Sequence, residues 1–323
     1  MRPIAVRIKQ NRHFGVIGDM AKILITGAGG LIGTRLQQIL LERGHEIHTI
    51  GRSLHSSIGP GIRAYTWDLS AQQMDPAALE GVDGIIHLAG AGVADERWTR
   101  ARKKEIMDSR VDSTRLLLQT LAKYPHEVRT IVSASAVGYY GDAGDEVMTE
   151  KHPAADTFLA EVTASWEREV RRFESEGVRH VCCRIGIVLA PHGGALPELT
   201  KTLAVGVASY FDKTPLYYPW IHLDDVCGIM IHALEHTQLR GSYNTTAPDP
   251  VPIKDLMKAI VRAKKSKAIL MPVPAFGIRL LLGEMAEMVL SSQRCSASKI
   301  MQAGYSFHYP DLDGALRDIY PGK

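Results

Sequence analysis

Residues 22–33 read KILITGAGGLIG, and the fold follows from them. Ile23, Leu24 and Ile25 form a short apolar, β-branched run, the composition of a strand buried on both faces of a parallel sheet. Gly27, Gly30 and Gly33 come next at the spacing of a glycine turn. Leu36, Ile39 and Leu40 then recur at helical intervals until Gly44 stops the helix. A second strand, Glu46 to Ile50, completes a strand, turn, helix, strand unit. In such a unit the glycines let a diphosphate approach the backbone, and the free N–H groups of the helix start supply its positive pole. Gly27, Gly30, Leu31, Ile32 and Gly33 are therefore candidate contacts to a dinucleotide.

The end of the second strand is where such folds choose between cofactors. An acidic residue there suits the ribose 2′-hydroxyl of NAD, and an arginine suits the 2′-phosphate of NADP. Gly51-Arg52-Ser53 offers arginine, so NADP(H) is the expected cofactor, with Arg35 as a helper. Arg52 also fits a solvated loop. Further strands are expected at Arg63 to Trp67, ending in Asp68, and at Gly84 to Leu88, ending in Ala89-Gly90. Ligands of open α/β sheets lie beyond the carboxyl ends of strands, which places Asp68, Leu88, Ala89 and Gly90 near the adenosine. Asp68 fits a turn former equally well, and His87 reads as a core residue.

A long helix is expected from Thr99 to Leu121, its basic start reading as a solvated face. A fifth strand, Thr130 to Ser133, leads into Ser135, Tyr139 and Tyr140. Hydroxyls and phenols just past a strand end suit a substrate carbonyl or hydroxyl beside a nicotinamide, while packing under the cofactor is the plainer alternative. The next helix, Ala155 to about Glu174, carries an apolar stripe of core type. Strand Val181 to Leu189 contains Arg184, either a buried ion-pair member or a ligand contact. Asp224 and Asp225 fit the start of a helix running to about His236, and Pro252 opens another to about Ala263.

Composition narrows the function classes. With 38 basic and 35 acidic residues and a formal charge of +3, the 323-residue chain carries no nucleic-acid footprint. Its four cysteines, Cys182, Cys183, Cys227 and Cys295, show neither metal-ligand nor disulfide spacing, so no metal is expected and the compartment reads as reducing, that is cytoplasmic. No apolar run reaches about 18 uninterrupted residues, so no membrane span is expected. Residues 1–19 are Arg-rich and read either as a leader or as an extended start before a natural beginning at Met20.

TGAGGLIG, HLAG, SASAVGYYG, VCCRIGIVL followed by GGAL, WIHLDD and the closing SSQRCSASKIMQAGYSFHYPDLDGAL together resemble a known family. It is the atypical extended short-chain dehydrogenase/reductases of the NAD-dependent epimerase/dehydratase-like kind, in the YfcH-type branch that ends in a C-terminal domain of unknown function. The resemblance covers about residues 20 to 320. It implies an α/β fold: a Rossmann-like, doubly wound parallel sheet (20–190 plus about 220–240) and a smaller, mainly helical C-terminal substrate-side domain (about 191–219 plus 241–323). It also implies that Arg52 meets the 2′-phosphate and that Glu105 and Arg110 reach the cofactor.

Two departures stand out. Aligned on Trp166-Glu167, the usual Tyr and Lys of the catalytic helix fall at Glu161 and Ser165, so that pair is absent. Between Val205 and Trp220, where relatives have a glycine-rich stretch, this chain has ASYFDKTPLYYP from Ala208 to Pro219. Two functions follow as alternatives. One is an NADP(H)-dependent oxidoreductase or epimerase of a small polar or sugar-like substrate, with Ser135 holding the reacting oxygen and Tyr139, Tyr140 or Glu161 exchanging the proton. The other is a cofactor-binding protein without turnover that presents a protein-binding surface when NADP(H) binds.

Overall fold

The computed structural model describes residues 20–53 and 59–322. The expectation for residues 1–19 lies outside the described residues. Eight strands form one sheet: β1 (Lys22–Thr26), β2 (Glu46–Gly51), β3 (Ile62–Asp68), β4 (Gln73–Met74), β5 (Gly84–His87), β6 (Thr130–Ala136), β7 (Arg179–Ile185) and β8 (Gly241–Thr245). Their order is β8-β7-β6-β5-β1-β2-β3-β4. Every pairing is parallel except that of the short β4 with β3.

Two-sided burial explains the apolar strand sequences. In β1, Ile23 and Ile25 enter one core, with Leu36 and Leu40 of α1 (Leu31–Glu42). Leu24, between them, enters the opposite core, with Leu117 of α2 (Arg100–Lys123) and Trp166 of α3 (Phe158–Arg171). Alternate side chains of a strand point to opposite faces, so a strand covered on both sides must be apolar throughout. The first core also takes Val226 and Met230 of α4 (Leu223–Glu235). A third core gathers Trp220, Ile260 of α5 (Ile253–Ala263) and Leu316. It anchors the largely helical C-terminal part, which includes α6 (Ala275–Leu282) and α7 (Leu312–Ile319).

Three expectations are corrected. The fifth strand runs on through Ala136, so Ser135 lies within β6 instead of past its end. The expected strand Val181 to Leu189 breaks at Gly186, where a Cβ would sit 2.0 Å from the carbonyl oxygen of Pro219. The chain resumes as Ile187–Leu189, paired with Trp220–His222. Gly241–Thr245, expected in the C-terminal domain, completes the sheet beside β7, because its parallel register with Val181–Ile185 extends the same hydrogen-bonded ladder. Among the described residues, no helix is long and apolar enough to cross a membrane.

Contacts from far along the chain tie the C-terminal part to the sheet's carboxyl end. Arg97 donates to the carbonyl of Leu281 at 2.9 Å, and Lys103 pairs with Glu284. Asp225 at the start of α4 is fully buried and accepts from Tyr305 Oη (2.8 Å), His308 N (2.8 Å) and Tyr309 N (3.0 Å).

Candidate functional site

Two cavities lie along the carboxyl ends of the strands. The outer one, about 760 Å³, is built on the glycine turn. Gly27 has φ +65°, and a Cβ on it would stand 2.9 Å from the carbonyl carbon of Leu88. Only glycine fits that approach. A Cβ on Gly33 would meet the Gly27 oxygen at 2.5 Å and Ala28 Cα at 2.8 Å, so α1 packs backbone against backbone on the turn. Gly27, Gly30, Gly51, Arg52 and Ser53 line this cleft, together with Ala89, Gly90 and Glu105.

Polar groups under the turn fix it to the next strand end. Thr26 Oγ1 accepts from the N–H groups of Leu88 and Ala89, each at 3.0 Å. Its own hydrogen therefore goes to His87 Nδ1 at 2.8 Å, leaving His87 Nε2–H to donate to Thr114 Oγ1 at 3.0 Å. Thr114 donates in turn to the carbonyl of Arg110 at 2.6 Å. His87 is thus the core residue its strand position suggested, and burial lowers its pKa to about 3.

The inner cavity is about 300 Å³, and the segment Leu88 to Val93 contributes to both: Ala89, Gly90 and Ala91 line the outer one, Leu88 and Val93 the inner. Ser135 and Arg110 line it. Arg110 Nη1 donates to the carbonyls of Ala91 and Ile106, each at 3.0 Å, and burial lowers the guanidinium pKa to about 10. The helix α3 presents Leu159, Val162, Thr163 and Trp166 to the cavity, one face at i, i+3, i+4 and i+7. Tyr218, Pro219, Glu287 and Gln293 close it from the C-terminal part. The segment between Val205 and Trp220 thus reaches the cavity only by its end.

The helix face does not bring the two positions expected for the catalytic pair, Glu161 and Ser165, into either cavity. Glu161 is exposed and lines neither cavity, because its place on α3 turns it away from the face that Leu159 and Thr163 present. Leu159 and Thr163, and likewise Val162 and Trp166, are cavity-facing positions one helical turn apart, and α3 contains neither Tyr nor Lys.

Below Ser135 lies a buried polar network. Glu167 accepts from Ser135 Oγ (2.7 Å), from Arg184 Nε and Nη2 (2.8 and 2.9 Å) and from Ser242 Oγ (2.9 Å). Burial opposes ionisation of Glu167, but the bonds and charge of Arg184 and the two hydroxyls outweigh it and hold the carboxyl below its ordinary range. Arg184 Nη1 donates to Tyr140 Oη at 2.9 Å, and Tyr140 donates to Asn244 Oδ1 at 2.7 Å. Tyr139 stacks its ring 3.5 Å from the Arg184 guanidinium carbon. Arg184 is an ion-pair member, with three of its donors directed to Glu167 and Tyr140, and it lines neither cavity. Neither tyrosine lines either of these two cavities, and burial pushes the Tyr140 phenol well up.

Other predicted contacts lie elsewhere. Leu31 and Ile32 pack against the core of the α1 face. Asp68 Oδ1 accepts from Ser70 N and Ala71 N at 2.8 and 3.0 Å, a turn former facing a shallower hollow beyond Arg52, while its neighbours Trp67 and Leu69 line the cleft. Arg35 is held by Asp224 at 2.7 and 3.0 Å and does not line the outer cleft with Arg52. Sequence reasoning missed Lys104, Asp108 and Asp112, which line the outer cleft beside Glu105. Their shared helix face was the available signal. For Glu287 and Gln293, far along the chain, there was none.

Fold and cleft define a Rossmann-type α/β protein with a two-part site at its strand ends. Residues 23–245 match the NAD dependent epimerase/dehydratase family, and the chain belongs to it. Residues 273–319 match a domain of unknown function, DUF1731. The epimerase family protein Mb2239 of Mycobacterium bovis is 33% identical over 92% of this chain and 96% of its own. The epimerase family protein YfhF of Bacillus subtilis is 31% identical over 92% and 97%. A solved structure of the human epimerase family protein SDR39U1 (isoform 2) with NADPH superposes with a TM-score of 0.79 at 27% identity, over 93% of this chain and 99% of that one.

Proposed function

We propose that the protein is an NADP(H)-dependent oxidoreductase or epimerase acting on a small polar or sugar-like substrate. The observation that carries this reading is the pairing of cavities: a cleft lined by the glycine turn and Arg52, and a smaller cavity lined by Ser135, with the sequence neighbours Ala89 and Leu88 lining one each. The residues fit a dinucleotide, since the turn holds only glycine at Gly27 and leaves the start of α1 free of side chains at Gly29 and Gly30. The NADPH in the human relative's structure supports the same cofactor here. In this reading Gly27, Gly30, Ala89 and Gly90 hold the dinucleotide backbone and Arg52 the 2′-phosphate. Arg110 and Leu88 lie toward the nicotinamide end.

When bound, the cofactor supplies or accepts a hydride. The chain's own groups orient the substrate and exclude water from the inner cavity. With Leu159 and Thr163 at the cavity-facing positions, no tyrosine and lysine serve proton exchange from α3. Losing a positioned acid or base costs about 10² to 10⁴ in rate, so turnover is expected to be slow unless Glu287, the carboxylate on the cavity wall, carries the proton.

Calorimetric titration with NADPH and NADH tests the reading. NADPH is expected to bind and NADH to bind more weakly, and Arg52→Ala should reduce NADPH affinity by about 10- to 100-fold, the worth of one charge-assisted contact. If neither nucleotide bound, the reading would fall. Binding without turnover across a panel of small carbonyls and alcohols would favour the non-catalytic alternative.

A further inference from the structure

The Ser135 hydroxyl has one hydrogen and two lone pairs, and what it can offer a ligand depends on where that hydrogen points. Its partner Glu167 accepts four donors, two of them from a single guanidinium. A carboxylate clamped in this way by arginine has no proton to give, so Ser135 must be the donor in their 2.7 Å contact. The hydrogens beyond it are placed as well. Arg184 gives Nη1–H to Tyr140, Tyr140 gives its proton to Asn244 Oδ1, and Asn244 Nδ2 donates to the carbonyls of Met148 (3.1 Å) and Ser296 (3.0 Å). Turning the Ser135 hydroxyl away would remove one of the four donors satisfying a buried carboxylate. Among the hydrogen bonds of the described residues, none is donated to Ser135 Oγ, and the residue lines the inner cavity together with the apolar Leu88, Leu159 and Val162 and the polar Arg110 and Thr163.

We propose that Ser135 faces the inner cavity as a hydrogen-bond acceptor with its own hydrogen pinned on Glu167. This wall then recognises a ligand group that donates, a hydroxyl or an N–H, and discriminates against a carbonyl oxygen in the same place. The proposal deepens the functional reading above by naming the bound partner as the alcohol side of a carbonyl/alcohol pair. A carbonyl there would set one acceptor against another in a largely apolar cavity, whereas a hydroxyl can donate to Ser135. Glu167 and Arg184 act as positioning residues through Ser135.

Cyclohexanol and cyclohexanone have nearly the same shape and opposite hydrogen-bonding capacity. We would titrate each into the full-length protein, alone and loaded with NADPH, following protein chemical shifts, after measuring NADPH binding by itself. The expected result is about tenfold tighter binding of the alcohol, a preference lost in Ser135→Ala and kept in Ser135→Thr. In the double variant Glu167→Gln with Arg184→Met the hydroxyl is free to rotate, and the preference should fall toward onefold. If that variant does not fold, the Ala and Thr pair decides. Equal or tighter binding of the ketone, a preference unchanged in Ser135→Ala, or no detectable binding of the alcohol would overturn the proposal. Failure of NADPH to bind would remove the cofactor reading instead, with the nucleotide-free titrations still judging Ser135.

Discussion

Buried titratable side chains set much of what this protein does in acid. His87 is fully buried and neutral between Thr26 and Thr114, with its pKa lowered from 6.5 to about 3. The unfolded chain takes up a proton at this histidine near pH 6.5 and the folded chain does not until about pH 3. Its contribution is therefore complete above pH 6.5 and is lost as pH falls from 6.5 toward 3, by up to about 1.4 kcal/mol per pH unit. Burial also lowers the pKa of His45, His48, His180, His222 and His232, adding to the same slope. Glu167 has the same sign at lower pH: its depressed folded pKa gives stability present above the ordinary glutamate range and lost below it. Urea midpoints between pH 7 and 5 should fall less steeply in His87→Gln than in the parent, and equally steep profiles would refute a neutral His87. Arg184 and Tyr140 show why residue type alone misleads. In a list of residues each is a plausible catalyst, and in the folded chain each is occupied by a neighbour.

Elements decide which residues can act together. The glycine turn, α1 and β2 are local, and their order and approximate bounds were legible from residues 22–50 because 2.0- and 3.6-residue periods and glycine spacing are written in consecutive residues. Gly33→Ala tests the contact that holds this unit: its Cβ would overlap Gly27 O and Ala28 Cα, both backbone, so α1 must shift. A loss of about 1–3 kcal/mol is expected, typical of overpacking, together with weaker NADPH binding, read by thermal melting and calorimetry. A Tm unchanged from the parent would show that the turn has room to spare. The face of α3 was harder to see. Its sequence shows a helix, but alignment on Trp166-Glu167 put Glu161 and Ser165 toward the site, whereas the packed helix turns Leu159 and Thr163 there. A shift of two positions on a helix is about 200° of rotation, enough to reverse inside and outside.

At the scale of the molecule, the inner cavity exists because the C-terminal part returns to the sheet. Gln293 donates to the carbonyl of Gly141 at 3.1 Å, and Ser292 N to Asp142 at 2.9 Å, placing Glu287 to Gln293 over the end of β6. Asp225 holds the later return at Tyr305 to Tyr309. Asp225→Ala would leave the His308 and Tyr309 N–H groups without their acceptor and the Tyr305 phenol with only the longer bond to the residue 225 carbonyl (3.3 Å), a cost of about 3 kcal/mol. Limited proteolysis should then cut near residues 303–311 under conditions where the parent resists, and equal resistance would refute this anchoring.

The sequence by itself determined the doubly wound class, the glycine turn and the arginine at the end of the second strand, because each depends on neighbours within a few residues. Only the tertiary structure decided which face of α3 meets the cavity, where Arg184 spends its charge, and that the Ser135 hydroxyl donates to Glu167. Those depend on partners brought from as far away as Ser242 and Asn244. A buried charge has to be satisfied by whatever packing brings beside it, and no periodicity in the chain records that choice.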